Sequence, residues 1–179
     1  MLCHFRNPQT KKPYGLLGTF NLANNYHLYI SEARRCMLSL FKKIHLFNGL
    51  NEEELKLISD SCSKVDFSSG ELVVKQNTIG EDVYFVSKGV IEVFVEGLED
   101  ERLLVMLGEG QVFGEMALIG QGYRSASGRA GKEGSEMYLL KAPMFNQLCE
   151  ENRNIGYVVM RNLALDLAFK LRHRNLTGV

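Results

Sequence analysis

From Val65 to Leu140 the apolar residues come in short runs rather than at helical spacing. The clearest runs are Leu72 to Val74, Val83 to Val86, Val90 to Val95 and Leu103 to Leu107. Gly70, Gly80, Gly89, Gly97 and Gly108 punctuate them at intervals of 10, 9, 8 and 11 residues, the turn rhythm of short antiparallel strands. Ile91, Val93 and Val95 alternate with Glu92, Phe94 and Glu96, so one face is apolar and the other mixed, as a barrel or sandwich wall requires. Gly97-Leu98-Glu99-Asp100 supplies a polar hairpin connection. Two shorter strands are predicted at Val65 to Phe67 and Met137 to Leu140. No proline falls between Pro13 and Pro143 to interrupt a central strand.

Helical patterns flank this segment. Ile30 to Lys43 is helix-compatible, and Asn51 followed by Glu52, Glu53 and Glu54 reads as a capped start with acids in the first turn. Pro143 suits the first turn of a short helix ending near Glu150. One long helix is predicted from Asn152 to about Arg174, roughly 34 Å at 1.5 Å per residue. Its residues Met160, Leu163, Ala164, Leu167, Ala168 and Leu171 form one apolar stripe, and Val158, Leu165 and Phe169 a second. A helix resting on a core needs only one stripe, so the second predicts a partner, most simply the same helix of another copy, over residues 152–174.

The chain has 179 residues, 45% hydrophobic and 23% charged, with 21 Lys/Arg against 21 Asp/Glu. That composition excludes disorder and fibres, and the length predicts one core with an extension. No apolar run approaches the roughly 20 residues of a spanning helix, and Leu16 to Phe20 is too short and broken for a secretory segment. The expectation is a cytoplasmic protein without a membrane partner. Cys3, Cys36, Cys62 and Cys149 are scattered, and the four histidines lie outside the strand-rich segment, which argues against zinc, iron–sulfur or other metal sites. Charge is uneven: seven Lys/Arg against one acid in residues 1–43, five against one in 152–179, and nine against nineteen between. An acidic body between basic flanks is not the continuous positive face of a nucleic-acid binder.

The chemistry-bearing segment is Leu107-Gly108-Glu109-Gly110-Gln111-Val112-Phe113-Gly114-Glu115-Met116-Ala117-Leu118-Ile119. Its three glycines allow tight turning, and the apolar run after Glu115 is long enough for one helical turn, whose first N–H groups cradle an anion. Five residues beyond Ile119 stands Arg124, then the small residues Ser125, Ala126, Ser127 and Gly128. A guanidinium meets a phosphate through two parallel charge-assisted hydrogen bonds. Glu115, an acceptor only, suits a hydroxyl that donates. The pair predicts a ligand with both a hydroxyl and a phosphate. No nucleophile and base emerge, so no catalysis is expected.

Phe113-Gly114-Glu115-Met116-Ala117-Leu118, a five-residue gap, and Arg124-Ser125-Ala126 resemble the phosphate-binding cassette of the cyclic-nucleotide-binding domain family. Gly80 to Gly89 is similar to the family's third-strand region, and Leu46-Phe47-Asn48-Gly49-Leu50 to its usual lead-in. The resemblance runs from about Phe41 to Arg174. It implies a mainly β fold with flanking α: an eight-stranded antiparallel jelly-roll barrel over about 64–141, N-terminal helices, and C-terminal helices over about 142–174. The domain would span residues 29–179, after an extension at 1–28.

The resemblance further implies cyclic AMP, or cyclic GMP, as ligand. Glu115 would accept from the ribose 2′-hydroxyl, Gly114 would permit close approach, and Arg124 would pair the cyclic phosphate. The Ala117 and Ser125 amides would complete the phosphate shell, with Phe113 and Ala126 beside them in the cassette. Val93 and Leu104 would line the purine side, and Met116 would act as an apolar relay letting the C-terminal helices close. In the family a hydroxyl directly after the arginine helps some members select guanine, whereas bacterial transcription-regulator relatives carry serine there and use cyclic AMP, the ligand favoured here; Asp166 is weighed as a guanine partner and read instead as a solvated helix carboxylate. Tyr123 replaces a frequent proline and Gly128 a β-branched residue, and the glycine-containing stretch Gly128 to Gly134 predicts a frayed strand.

Because the sequence stops at Val179, no helix-turn-helix is expected after the long helix. The reading is a stand-alone sensor that reports to a separate, unidentified protein. The alternatives are a barrel kept only for ligand-free dimerisation and assembly, and a cupin-like metalloenzyme, which lacks its strand histidines.

Overall fold

The structure, a computed structural model, describes residues 34–97, 100–120 and 122–177. The extension at 1–28, the start of the first predicted helix, and Leu98 and Glu99 of the hairpin lie outside the described residues. The elements run in the order helix α1 (34–41), a 3-10 turn at His45–Phe47, α2 (Glu52–Asp60), β1 (Ser63–Phe67), β2 (Leu72–Val74), β3 (Asp82–Glu96), β4 (Glu101–Leu107), β5 (Val112–Phe113), a 3-10 turn at Glu115–Leu118, β6 (Ser127–Lys141), α3 (Ala142–Glu151) and α4 (Arg153–Thr177).

The six strands form one antiparallel sheet of order β1-β6-β3-β4, with β2 on β6 and β5 on β3. Among the described residues the sheet has six strands and does not close, where an eight-stranded jelly-roll barrel is expected. The runs read as Val83–Val86 and Val90–Val95 are two ends of one 15-residue strand, whose pairing with β6 shifts register between Val86 and Lys88 and between Gly89 and Ile91. Its first half lies between β5 and β6, its second between β4 and β6. Strand β6, also 15 residues, pairs β1 through Ser135–Leu139 and β2 through Gly128 and Arg129. Bulges bend such strands and raise their twist, so two long strands each supply two of the expected eight segments.

Strand β6 continues through its glycines, but its pairing with β3 covers Ser127–Ala130 and Ser135–Lys141, and the register shift between Gly89 and Ile91 skips Gly131 to Gly134. A Cβ on Gly128 would stand 2.5 Å from the Phe113 ring, so the missing side chain makes room for an aromatic of the site.

Two apolar clusters sit on opposite faces of β3. Val83 and Phe85 face the helices and pack with Phe41, Ile44, Leu46, Ile58, Phe145, Ile155 and Leu163. Tyr84 and Val86 face the other way, with Val74, Ile91, Val93, Phe113, Ala126 and Met137. Covered on both faces, this half of the strand reads as a continuous apolar run. Phe85 is held by Phe41 and Phe47, with ring centroids 5.3 Å away in each case.

Helix α2 begins at a full capping box: Glu54 N–H donates to Asn51 Oδ1 and Asn51 N–H to Glu54 Oε2, both at 2.9 Å. The other oxygen of Glu54 accepts from Asn154 Nδ2 at 2.7 Å, tying the starts of α2 and α4 together. Pro143 falls in the first turn of α3. The first predicted α4 stripe reaches the core only in part: Leu163 is buried and Met160 and Leu167 pack partly against the core, whereas Ala164, Ala168 and Leu171 are exposed. Ile155 and Val159, outside that stripe, are buried as well. Beside Leu163 is Asn162, buried because its Nδ2 donates to the Leu46 and Asn48 carbonyls at 3.0 and 2.9 Å. On the second stripe Leu165 and Phe169 are exposed.

Candidate functional site

The site is assembled where β5 runs into a 3-10 turn. Gly114, at φ +79°, makes the left-handed bend that starts this turn, a conformation that glycine adopts without penalty. Ala117 N–H donates to the Gly114 carbonyl at 3.1 Å, leaving the amides of Glu115 and Met116 ahead of the first turn bond. Ala117's own amide, expected in the phosphate shell, is thus engaged within the turn.

Arg124 enters from the following loop. Its N–H donates to the Thr78 carbonyl at 2.8 Å, its carbonyl accepts from Asn77 N–H at 2.9 Å, and Tyr123 bridges Ile79. Backbone bonds therefore fix the residue before its side chain begins. The guanidinium runs between Gly80 and Gly114, where a Cβ on either glycine would overlap it, and Nη2 donates to the Asp82 carbonyl at 2.9 Å. Arg124 is 9% exposed, yet among the described residues no carboxylate stands within ion-pair distance of it. A guanidinium has five donors, so this one is held by neutral groups and keeps its charge for something else. Beside it the Tyr84 phenol is pushed up, by burial first and by Asp82 second, with Arg124 opposing them.

A cavity of about 1180 Å³ opens here. Its wall includes all ten residues singled out from the sequence: Val93, Leu104, Phe113, Gly114, Glu115, Met116, Ala117, Arg124, Ser125 and Ala126. Phe113, Val93 and Ala126 are buried and form an apolar floor. Met116 is 54% exposed at the rim, and Ser125 is exposed beside Arg124. Leu104 comes from β4, whose residues Leu103 to Met106 are all exposed. Polar and cationic groups at one end and an apolar surface at the other suit a ligand with an anionic head and a flat apolar body.

The wall also holds residues that sequence reasoning did not assign to the site: Gly80, Tyr123, His45 from the first 3-10 turn, and Leu167, Phe169, Lys170 and His173 from α4, together with Asp166, which it had weighed and set aside. Asp166 is not the solvated carboxylate expected. Its Oδ2 lies 2.8 Å from Lys170 Nζ, four residues along, and its Oδ1 3.6 Å from His45 Nε2. Lys170 Nζ also donates to Glu115 Oε1 at 3.0 Å. Burial works to lower the Lys170 pKa, but Asp166 and Glu115 overcome it and hold the ammonium above its ordinary value. The spacing of Asp166 and Lys170 by four is legible in sequence as a helix pair; the contact with Glu115, 55 residues away, is not. Phe169 and His173 stack with ring centroids 5.3 Å apart.

Among the described residues no group of three His, Cys, Asp or Glu is placed to hold a metal ion, and no helix is long and apolar enough to cross a membrane.

Comparison with known proteins agrees with this geometry. Residues 64–152 match the family model described as the cyclic nucleotide-binding domain. The chain is 33% identical to the cyclic AMP receptor protein of Thermus thermophilus over 132 residues, 73% of this chain and 59% of that protein. It is 31% identical to a cGMP-dependent protein kinase of Drosophila melanogaster, isozyme 2 forms cD5/T2, over 110 residues, 60% of this chain and 12% of the kinase. The crystal structure of the Thermus thermophilus catabolite activator protein superposes with a TM-score of 0.67 at 34% identity, covering 74% of this chain and 61% of that one. The chain thus spans less than two thirds of each of these relatives.

Proposed function

Because residues 64–152 place this chain in the cyclic nucleotide-binding domain family, we propose that it is a regulatory module that binds cyclic AMP, with cyclic GMP as the second candidate, and that reports occupancy through α4. The observation that carries this reading is Arg124: buried, locked by backbone bonds and one neutral acceptor, the Asp82 carbonyl, with no carboxylate paired to it among the described residues.

In this reading Arg124 pairs the cyclic phosphate through parallel charge-assisted bonds, with the Ser125 amide beside it. The amides of Glu115 and Met116 add positive potential, and Ala117 contributes its own only when its bond to Gly114 loosens. Glu115 accepts from the ribose 2′-hydroxyl. Val93, Leu104 and Phe113 cover the base. Met116, free at the rim, is the side chain with room to move as the turn tightens, and α4 lies close enough to follow it. The protein's own role is regulatory rather than catalytic, with its message passed in the cytoplasm to a separate protein and not to nucleic acid. The relatives' names support the ligand class: one is a cyclic AMP receptor, another a cGMP-dependent kinase.

Calorimetric titration with cyclic AMP and cyclic GMP tests the proposal. Saturable binding of one site per chain is expected, tighter for cyclic AMP. An absence of heat with both, at millimolar ligand, overturns it.

A second reading has its own observation. Leu165, Phe169 and Leu171 on α4 and Leu103 to Met106 on edge strand β4 are exposed apolar residues, the pattern of a face that pairs with another copy. A ligand-free module that dimerises through residues 152–174 would show self-association without any nucleotide binding.

A further inference from the structure

One oxygen of the carboxylate assigned to the sugar is already in use. Glu115 Oε1 accepts from Lys170 Nζ at 3.0 Å, and the Glu115 side chain is only 15% exposed. A hydroxyl arriving at Glu115 meets an ammonium that is a stronger, charge-assisted donor. Lys170 has somewhere else to go. Its Nζ is also 2.8 Å from Asp166 Oδ2, one turn back on the same helix, and its stem is more than half exposed. Asp166 in turn touches His45 Nε2 at 3.6 Å. One ammonium is therefore shared by two carboxylates, one on α4 and one in the phosphate-side turn.

We infer that Lys170 is a positioning residue that competes with the ligand for Glu115 and so sets how strongly the protein distinguishes a ribose from a 2′-deoxyribose. The inference rests on the function proposed above. When the hydroxyl takes Glu115, Lys170 retreats to Asp166, so the pair tempers the hydroxyl's contribution instead of blocking the site.

Removing Lys170 also strips positive charge from the cavity and weakens any anionic ligand. That effect is common to both sugars and cancels in a ratio. The quantity to measure is the Kd for 2′-deoxy cyclic AMP divided by the Kd for cyclic AMP, by calorimetry, in the full chain. Lys170→Met is expected to raise this ratio about threefold, the scale of a partly exposed ion pair, while Lys170→Arg leaves it near the wild-type value. Asp166→Asn, which removes the retreat, is expected to lower it. A ratio unmoved or reduced in Lys170→Met overturns the inference, because Glu115 would then hold the hydroxyl with the lysine still in place. Binding of neither nucleotide by the wild-type chain would instead overturn the proposed function, and this inference with it.

Discussion

Arg124 and Gly114 occupy the same space divided between them: a Cβ on Gly114 would stand 2.6 Å from Arg124 Nη1 and 2.9 Å from the Asp82 carbonyl that Arg124 Nη2 uses. The glycine is therefore part of the arginine's socket as well as a bend. Arg124→Ala should weaken cyclic AMP binding about a hundredfold or more, from the loss of two charge-assisted bonds of roughly 1.5 to 3 kcal/mol each. Gly114→Ala should cost at least about tenfold with Arg124 intact, since it strains a positive φ and displaces the guanidinium. Titration calorimetry on both variants checks this; unchanged affinity in Arg124→Ala rejects the assigned role.

Asn162→Ala should lower stability by about 1 to 3 kcal/mol, because it leaves the buried Leu46 carbonyl and the part-buried Asn48 carbonyl without their donor. Urea unfolding measures it as a lower midpoint with an unchanged slope. An unaltered midpoint would mean that α4 is held by its apolar contacts alone.

The Glu136 carboxyl is held below its ordinary value by the hydrogen bond from Lys64 at 2.6 Å, against the opposing effect of burial, with Lys88 adding to the lowering. A carboxylate with a depressed folded pKa stabilises above its unfolded pKa and loses that contribution as pH falls through the folded value. Wild type should therefore exceed Glu136→Gln by about 0.5 kcal/mol near neutrality, and the two should converge as pH falls through and below the ordinary carboxylate range. Melting curves across that range test it, and a gap that widens in acid contradicts the assignment.

Burial pushes the Cys62 thiol up to about 12, and its Sγ donates to the Ile58 carbonyl. As the thiolate is the reactive form, Cys62 should resist iodoacetamide at pH 8 in the folded protein and label only in denaturant. Peptide mass spectrometry reads the difference directly; rapid native labelling would place Cys62 in a more open environment.

Phe169→Glu should abolish self-association if α4 pairs with another copy, since Phe169 is 60% exposed on the face left free of the core. Sedimentation velocity gives the answer. A wild-type chain that is monomeric at high concentration rejects the pairing.

What the sequence displayed and what it hid follow from range. The Asn51 capping box, Pro143 in the first turn of α3 and the cassette from Phe113 to Ala126 are local patterns, written within a few residues. The pattern suggests two strands where there is one because Lys88 and Gly89, polar and turn-like, lie between the two register shifts of a strand that continues through them. Asn162 sits where helical periodicity calls for an apolar side chain, and only the carbonyls of residues more than a hundred positions earlier explain it. The Lys170–Glu115 pair was hidden for the same reason: Lys170 looks like an ordinary surface charge, and nothing near Glu115 in sequence points to it, until α4 is laid beside the turn. Long-range polar contacts leave no periodic trace.

The two doubled strands have a mechanical consequence. Val83 and Phe85, wedged among the helices, and Val93, at the base of the cavity, belong to one strand, β3, that β6 pairs on both sides of the register shifts. Spreading the cavity by parting its walls would mean tearing both stretches of that ladder, so the frame stays stiff. Compliance is left to pieces mounted on it, the short turn at Glu115–Leu118 and the outer half of α4, and an arriving molecule can do work only on them.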